Sequence, residues 1–281
     1  MNNFLLRTVS AIVYAGLVLT SILLQPVSFG GHPLFFGILF MLISMLAVRE
    51  YHILLGADIK TTTYAMMSTV LLFATCYFLF YGDSIWRGLL VAYVAIVLLA
   101  LIAYLFRPQL QPINAWGNFC AGQVMVALPF ALMNGVIMHS QWMMLALFIL
   151  LWVNDSGAYI VGSLTAKLPK GNHKMFPRVS PAKSWEGLIG GLLFSLVAGY
   201  AFYRIGWTED MGLTNSLLFA ALGSLFGTLG DLMESLFKRT LGVKDSGKFM
   251  PGHGGVLDRF DSLLLATPVV YFLFVYLPSI L

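Results

Sequence analysis

The sequence predicts an all-α, polytopic integral membrane protein with about nine transmembrane helices, and three observations predict it. Of its 281 residues, 59% are apolar and only 10% are charged, with a mean hydropathy of +0.86. A soluble globular domain carries about 25% charged residues. The apolar residues fall in runs of roughly 20, the length that crosses the hydrocarbon core as a helix. The Lys and Arg residues gather between those runs and sort to one side when the chain is threaded through a bilayer.

The runs lie near residues 4–24, 34–55, 63–81, 88–106, 118–138, 142–163, 185–205, 213–233 and 260–280. No small-residue cleavage site follows the first, so it reads as a span rather than a secretory signal. Pro129 interrupts the fifth and should distort it. With the N-terminus in the cytoplasm and the C-terminus outside, fourteen of the sixteen Lys and Arg lie on the cytoplasmic side, leaving only Arg87 and Arg204 outside. Such a bias orients short loops. No linker divides the chain, which reads as one membrane domain: an N-terminal helical scaffold over 1–140 and a catalytic half over 141–281, with cytoplasmic loops at 164–184 and 234–259. Cys76 and Cys120 stand alone within apolar runs and imply neither disulfide nor thiolate metal site. The net charge of +4 is explained by topology, not by nucleic-acid binding. No internal repeat or pair of broken helices is present, which argues against a transporter.

Charge concentrates in one stretch. Five of the twelve acidic residues and five of the sixteen basic ones fall within 231–261. Ionisable groups at the mouth of a bilayer segment are costly and mark function or mutual pairing. If the helix of the eighth span continues through 239, Asp231, Ser235 and Lys238 share a face at i, i+4 and i+7, with Glu234 at its edge. Arg239, Lys244 and Asp245 follow. The loop Pro251-Gly252-His253-Gly254-Gly255 can bring backbone N–H groups toward a phosphate. Asp258 and Asp261 then form an i, i+3 pair in the first turn of the ninth span, with Arg259 between them. One such carboxylate would merely complement the helix dipole. Cations for phosphate, carboxylates for a hard metal and glycines together describe a metal-dependent phosphoryl or nucleotidyl site.

Two other stretches add to it. Asn154-Asp155 interrupts the sixth apolar run, where the pair serves either a cavity or an interhelical hydrogen bond. In the loop 167–183, Lys167, Lys170, Lys174, Arg178 and Lys183 crowd the start of the seventh span. Ser180 or Ser184 can cap that helix, with Glu186 in its first turn, and Lys183 beside a helix N-terminus suits an anion or an anionic headgroup.

These residues carry a family resemblance. Ser235-x-x-Lys238-Arg239, Lys244-Asp245-x-Gly247 and His253-Gly254-Gly255-x-x-Asp258-Arg259-x-Asp261 resemble the C-terminal signature of the phosphatidate cytidylyltransferases. Asp155-Ser-Gly-Ala-Tyr159 and Ser180-Pro181-x-Lys183-x-Trp185-x-Gly187 are similar to that family too. Asn154 and the segment Gly162–Lys167 depart from its usual pattern. The resemblance implies transfer of the cytidylyl group of CTP to phosphatidic acid, giving CDP-diacylglycerol and pyrophosphate at the cytoplasmic face of a bacterial inner membrane, and a homodimer. It implies Asp231 and Asp258 as carboxylates for Mg²⁺, alone or with a second cation, and Asp245 and Asp261 as secondary ligands. Lys238, Arg239 and Lys244 would hold phosphate, with Lys183 and Ser180 closing the site and Asp155 facing it. Ser235, His253, Gly254, Gly255 and Arg259 would line it. A CTP-dependent polyprenol or lipid kinase is the nearest alternative; a membrane transporter and a non-catalytic interaction protein stand further off.

Overall fold

The structure, a computed structural model, describes residues 3–24, 33–106, 111–169, 171–247, 249 and 254–280, without the side chains of 3–9 and 280. Arg107, Lys170, Lys248, Pro251, Gly252 and His253 lie outside the described residues. The helices are α1 (Asn3–Leu23), α2 (Leu34–Leu54), α3 (Ile59–Phe80), α4 (Ile85–Ala103), α5 (Pro112–Gly122), α6 (Leu128–His139), α7 (Gln141–Thr165), α8 (Trp185–Arg204), α9 (Gly212–Thr240), α10 (Leu257–Phe260), α11 (Leu263–Val270) and α12 (Leu277–Ile280). A small antiparallel hairpin, β1 (Lys174–Phe176) and β2 (Ser180–Ser184), joins α7 to α8. Among the described residues, seven helical stretches are long and apolar enough to cross a membrane. Two shorter apolar ones, Ser10–Leu23 and Leu263–Ser279, stand where the first and last predicted spans begin and end the series. The protein is an all-α polytopic membrane protein.

Side-chain caps set several of these boundaries. Asp58 accepts from the Thr61 N–H at 3.3 Å at the start of α3, and Ser140 accepts from the Met143 N–H at 3.2 Å at the start of α7. Each satisfies one of the four N–H groups that a helix start leaves without a partner.

Two prolines account for two breaks in α-helical geometry. The π-helical stretches Gln123–Ala127 and Tyr271–Tyr276 each end two residues before a proline, Pro129 and Pro278. A proline has no N–H to donate, and its ring presses on the carbonyl four residues back. Those carbonyls, of Met125 and Phe274, lie inside the widened turns, which displace them without ending the helix. The widened turn before Pro129 also aims Gln123 across to α3, where its amide donates to the Ala65 carbonyl at 3.2 Å and to Thr69 Oγ1 at 3.3 Å.

The chain packs as two compact units. The first takes the residues through Met138 together with Asp245–Phe260, and the second takes His139–Lys244 with the residues from Asp261 onward. In the first, α2 is the central element, packed against α1, α3, α5, the first π turn and α10. In the second, α9 is central and packs on α7, α8, α11 and the hairpin.

Close helix approach in the second unit relies on small residues, since apolar burial distinguishes little between protein and lipid there. Gly223 leaves room for Leu150, where a methyl group would come within 2.7 Å of Cδ2. Gly191 of α8 lies directly over Asn154 of α7. Asn154 is 2% exposed and joins the helices through hydrogen bonds. Its Nδ2 donates to Thr228 Oγ1 at 3.2 Å, and its Oδ1 accepts from Ser224 Oγ at 2.6 Å. Of the two readings open for Asn154 in the sequence, the structure selects the interhelical hydrogen bond.

A methyl at residue 191 would lie 2.5 Å from Asn154 Oδ1 and 2.9 Å from the Asn154 carbonyl oxygen. Gly191→Ala should therefore cost about 1–3 kcal/mol by overpacking. Gly16→Ala, with nothing within 4 Å of the added methyl, should stay within about 0.5 kcal/mol of the parent. Thermal unfolding in detergent followed by tryptophan fluorescence checks the contrast; equal midpoints for the two variants would contradict it.

Candidate active site

The polar residues predicted to act together form two clusters, one in each unit. The cluster of the second unit begins on α9. This helix runs unbroken to Thr240, as the continuation past the eighth span required, so Asp231 and Ser235 stand one turn apart on one face. Ser235 Oγ donates to Asp231 Oδ1 at 3.2 Å. The other carboxylate oxygen, Oδ2, pairs with Lys183 Nζ at 2.7 Å. Lys183 also donates to the Thr228 carbonyl at 3.4 Å. Both oxygens of Asp231 are thereby aimed by donors from its own unit.

Lys183 reaches this position because the hairpin is tied down at its base. Ser184 is the residue that caps α8, accepting from the Gly187 N–H at 3.1 Å. Glu186 accepts from the His173 N–H with both oxygens, at 3.1 and 3.0 Å, and lies 2.6 Å from His173 Nδ1. The Trp185 N–H donates to the His173 carbonyl at 2.9 Å. Ser180 opens β2 opposite Phe176. Arg239 Nε and Nη1 donate to the carbonyls of Val179 and Val243 at 3.4 and 3.1 Å, bracing the hairpin turn against the end of α9.

Two more carboxylates face the same ion pair. Asp155 follows Asn154 by one residue and so turns about 100° from the helix interface, which leaves it exposed. Asp261 lies in the turn between α10 and α11. Burial first, and next the charge of Asp231, push its carboxyl above the usual carboxylate range, with Asp155 adding to it; the Ser262 N–H and Lys183 pull the other way. That N–H donates to Asp261 Oδ1 at 2.6 Å. Asp231 and Asp261 thus share Lys183 as a nearby cation. Asp155 and Asp231 border an open pocket of about 420 Å³, lined also by Tyr159, Asn172, Lys174 and Lys183. Among the described residues, no three of His, Cys, Asp and Glu converge closely enough to chelate a metal by themselves. A hard cation here would need phosphate oxygens to complete its shell.

The first unit holds the loop that leads into α10. Asp258 Oδ2 accepts from the N–H groups of Ser246 and Gly255, both at 2.8 Å. The Gly255 N–H, expected to face a phosphate, is directed instead at Asp258. Gly254 has φ of +86°, and a methyl there would sit 2.5 Å from Asp258 Oδ2, so only glycine fits the turn. Asp245 is exposed beside it, and Arg259 is half-buried. Glu50 of α2 supports this loop and escaped the sequence reading, although a Glu inside an apolar run was itself a signal.

Several expectations change. Asp258 and Asp261 do not share one helical turn. The helix stops at Phe260 and restarts at Leu263, because the Asp261 carboxylate takes the following N–H in place of a helical bond. Lys238, on the same continuous helix, pairs with Glu234 one turn back at 2.5 Å, where both side chains are largely buried. Asp231 and Asp258 fall in different compact units, each held by donors of its own. Lys244 is exposed, and His253 lies outside the described residues.

Comparison with known proteins accords with this chemistry. The model of the cytidylyltransferase family matches residues 5–277. The chain is similar to the phosphatidate cytidylyltransferase of Haemophilus influenzae, 45% identical over 140 residues, 48% of this chain and 47% of that protein. It is similar to those of Staphylococcus saprophyticus, 44% over 128 residues, and Staphylococcus haemolyticus, 45% over 129, each alignment covering 46% of this chain and 47% of the relative. The aligned stretch thus spans about half the length of the curated relatives it matches. With a family match that takes in nearly all of its residues, the chain belongs to the cytidylyltransferase family.

Proposed function

We propose that this protein transfers the cytidylyl group of CTP to phosphatidic acid, releasing pyrophosphate, at the cytoplasmic face of a bacterial inner membrane. The observation that carries the reading is the Lys183–Asp231 pair at an open pocket that Asp155 also lines, with the Asp261 carboxyl near Asp231. Family membership and the names of the relatives support the choice of nucleotide and lipid.

In this reaction an oxygen of the lipid phosphate attacks the α-phosphorus of CTP. One P–O bond forms there, the bond to the β-phosphate breaks, and its electron pair leaves with pyrophosphate. The lipid phosphate is an anionic nucleophile at neutral pH, so the protein needs no strong general base. The barrier lies in bringing two anions together and stabilising charge on the leaving group. Lys183, held beside Asp231, supplies a fixed positive charge. Asp231 and Asp261 give hard oxygen donors in a locally acidic setting, which suits Mg²⁺, alone or with a second cation, bound jointly with the triphosphate. Bound there, it would neutralise the triphosphate and the departing pyrophosphate. Asp258, the other carboxylate expected to hold metal, keeps that role in the proposal from the sequence pattern. The basic loop 167–183 would draw anionic lipid to the surface.

The decisive assay uses the purified chain in detergent with phosphatidic acid, Mg²⁺ and CTP labelled at either the α or the γ phosphate. Label from the α position should enter lipid while γ label leaves as pyrophosphate. Lipid carrying the γ label would indicate a kinase, and lipid left unlabelled under every metal condition would favour transport or an interaction role. Asp231→Asn should lower the initial rate by roughly 10²- to 10³-fold, the scale for loss of one preorganised charge-stabilising group. Lys183→Met should fall in the same range. Retention of full rate by either variant would move the chemistry elsewhere.

A further inference from the structure

Glu50 sits in the apolar helix α2 and is 7% exposed. A carboxylate withdrawn to that extent is costly unless donors surround it. Its donors come from about two hundred residues away in the chain. Glu50 Oε2 accepts from Ser246 Oγ at 3.1 Å and from the Leu257 N–H at 3.0 Å. The same Ser246 hydroxyl oxygen accepts from the Asp258 N–H at 3.3 Å, while the Ser246 N–H donates to Asp258 Oδ2 at 2.8 Å. A hydroxyl has one proton, so committing it to Glu50 turns the oxygen lone pairs toward Asp258. The result is a relay from α2, through Ser246, to both the backbone and the carboxylate of Asp258.

The loop fits over Glu50 because two side chains are missing. A methyl at Gly247 would lie 2.6 Å from Glu50 Oε1, and one at Gly255 would overlap both Glu50 Oε2 and Ser246 Oγ. Small size at these two positions lets the backbone close on the carboxylate. The sequence signature contains Gly247, Gly255 and Asp258 but not the residue they close upon.

We propose that Glu50 is a positioning residue: through Ser246 it holds Asp258 in the orientation that cytidylyl transfer uses. The proposal rests on the function proposed above and acts through the loop rather than on either substrate. It gives the N-terminal scaffold a defined part in the reaction.

The test uses the full chain in detergent with two readouts. One is hydrogen exchange at the amides of Ser246, Gly255 and Leu257; the other is transfer of α label from CTP to lipid. Glu50→Ala should speed exchange at all three amides and lower kcat about 10- to 100-fold, the usual cost of losing a group that orients a ligand, with little change in the KM for CTP. Glu50→Gln keeps an acceptor oxygen for both donors and should recover most of both properties. Ser246→Ala should move both in the direction of Glu50→Ala, and it decides the matter if Glu50→Ala does not fold. Native exchange in the alanine variants overturns the proposal. Faster exchange with unchanged kcat also overturns it, leaving a tether only, and so does an equal loss in Glu50→Gln and Glu50→Ala. A parent chain that transfers no label overturns the functional reading; the exchange comparison then still decides whether Glu50 holds the loop.

Discussion

A charge in or beside an apolar helix must be met by a partner, and the organisation of both units follows from that cost. Asp231 is met by Lys183 and Ser235, and Glu50 by Ser246 and Leu257. In each case at least one partner comes from a different element. Neutralising the charge therefore also joins one piece of structure to another: a hairpin to α9, and the loop before α10 to α2. Where a partner is local, as for Glu234 and Lys238 one turn apart, the pair stabilises its own helix.

The acidic end of α9 has a different character. Asp155, Asp231 and Asp261 gather there, and the carboxyl of Asp261 rises because burial and its neighbours oppose its ionisation. An excess of carboxylate in a partly buried place is unfavourable for the protein alone and becomes favourable with a cation and phosphate present. The close packing of α7, α8 and α9 through Gly191, Gly223 and the Asn154 hydrogen bonds gives this cluster a rigid support. A polar tie of that kind suits a membrane interior, where apolar contact by itself holds helices together only weakly.

Much of the local structure could be read in the residues. The helix through residue 239, a condition of the sequence reading, is present in α9, and of the two serines that could cap α8 the structure uses Ser184. The distortion expected at Pro129 appears as a widened turn just ahead of it. The residues that the sequence left undecided or misplaced are those with competing partners. Lys238 could reach either the Asp231 face or Glu234, and the nearer carboxylate won. Asp261 could continue a helix or bond its own neighbour, and the neighbour won. Asn154 could face a cavity or another helix, and the hydroxyls of Ser224 and Thr228 decided for the helix.

By itself the sequence determined the membrane class, most of the helical stretches and where along the chain the charged residues gather. Those properties depend on hydropathy, period and caps, all of which act over a few turns of chain. Only the tertiary structure decided which carboxylates meet which donors. It gave Lys183 to Asp231, directed the Gly255 N–H to Asp258, and brought Glu50 under a loop about two hundred residues further on. Hydrogen bonds and ion pairs act over about 3 Å, so a pairing between distant segments exists only once helix packing has brought them together.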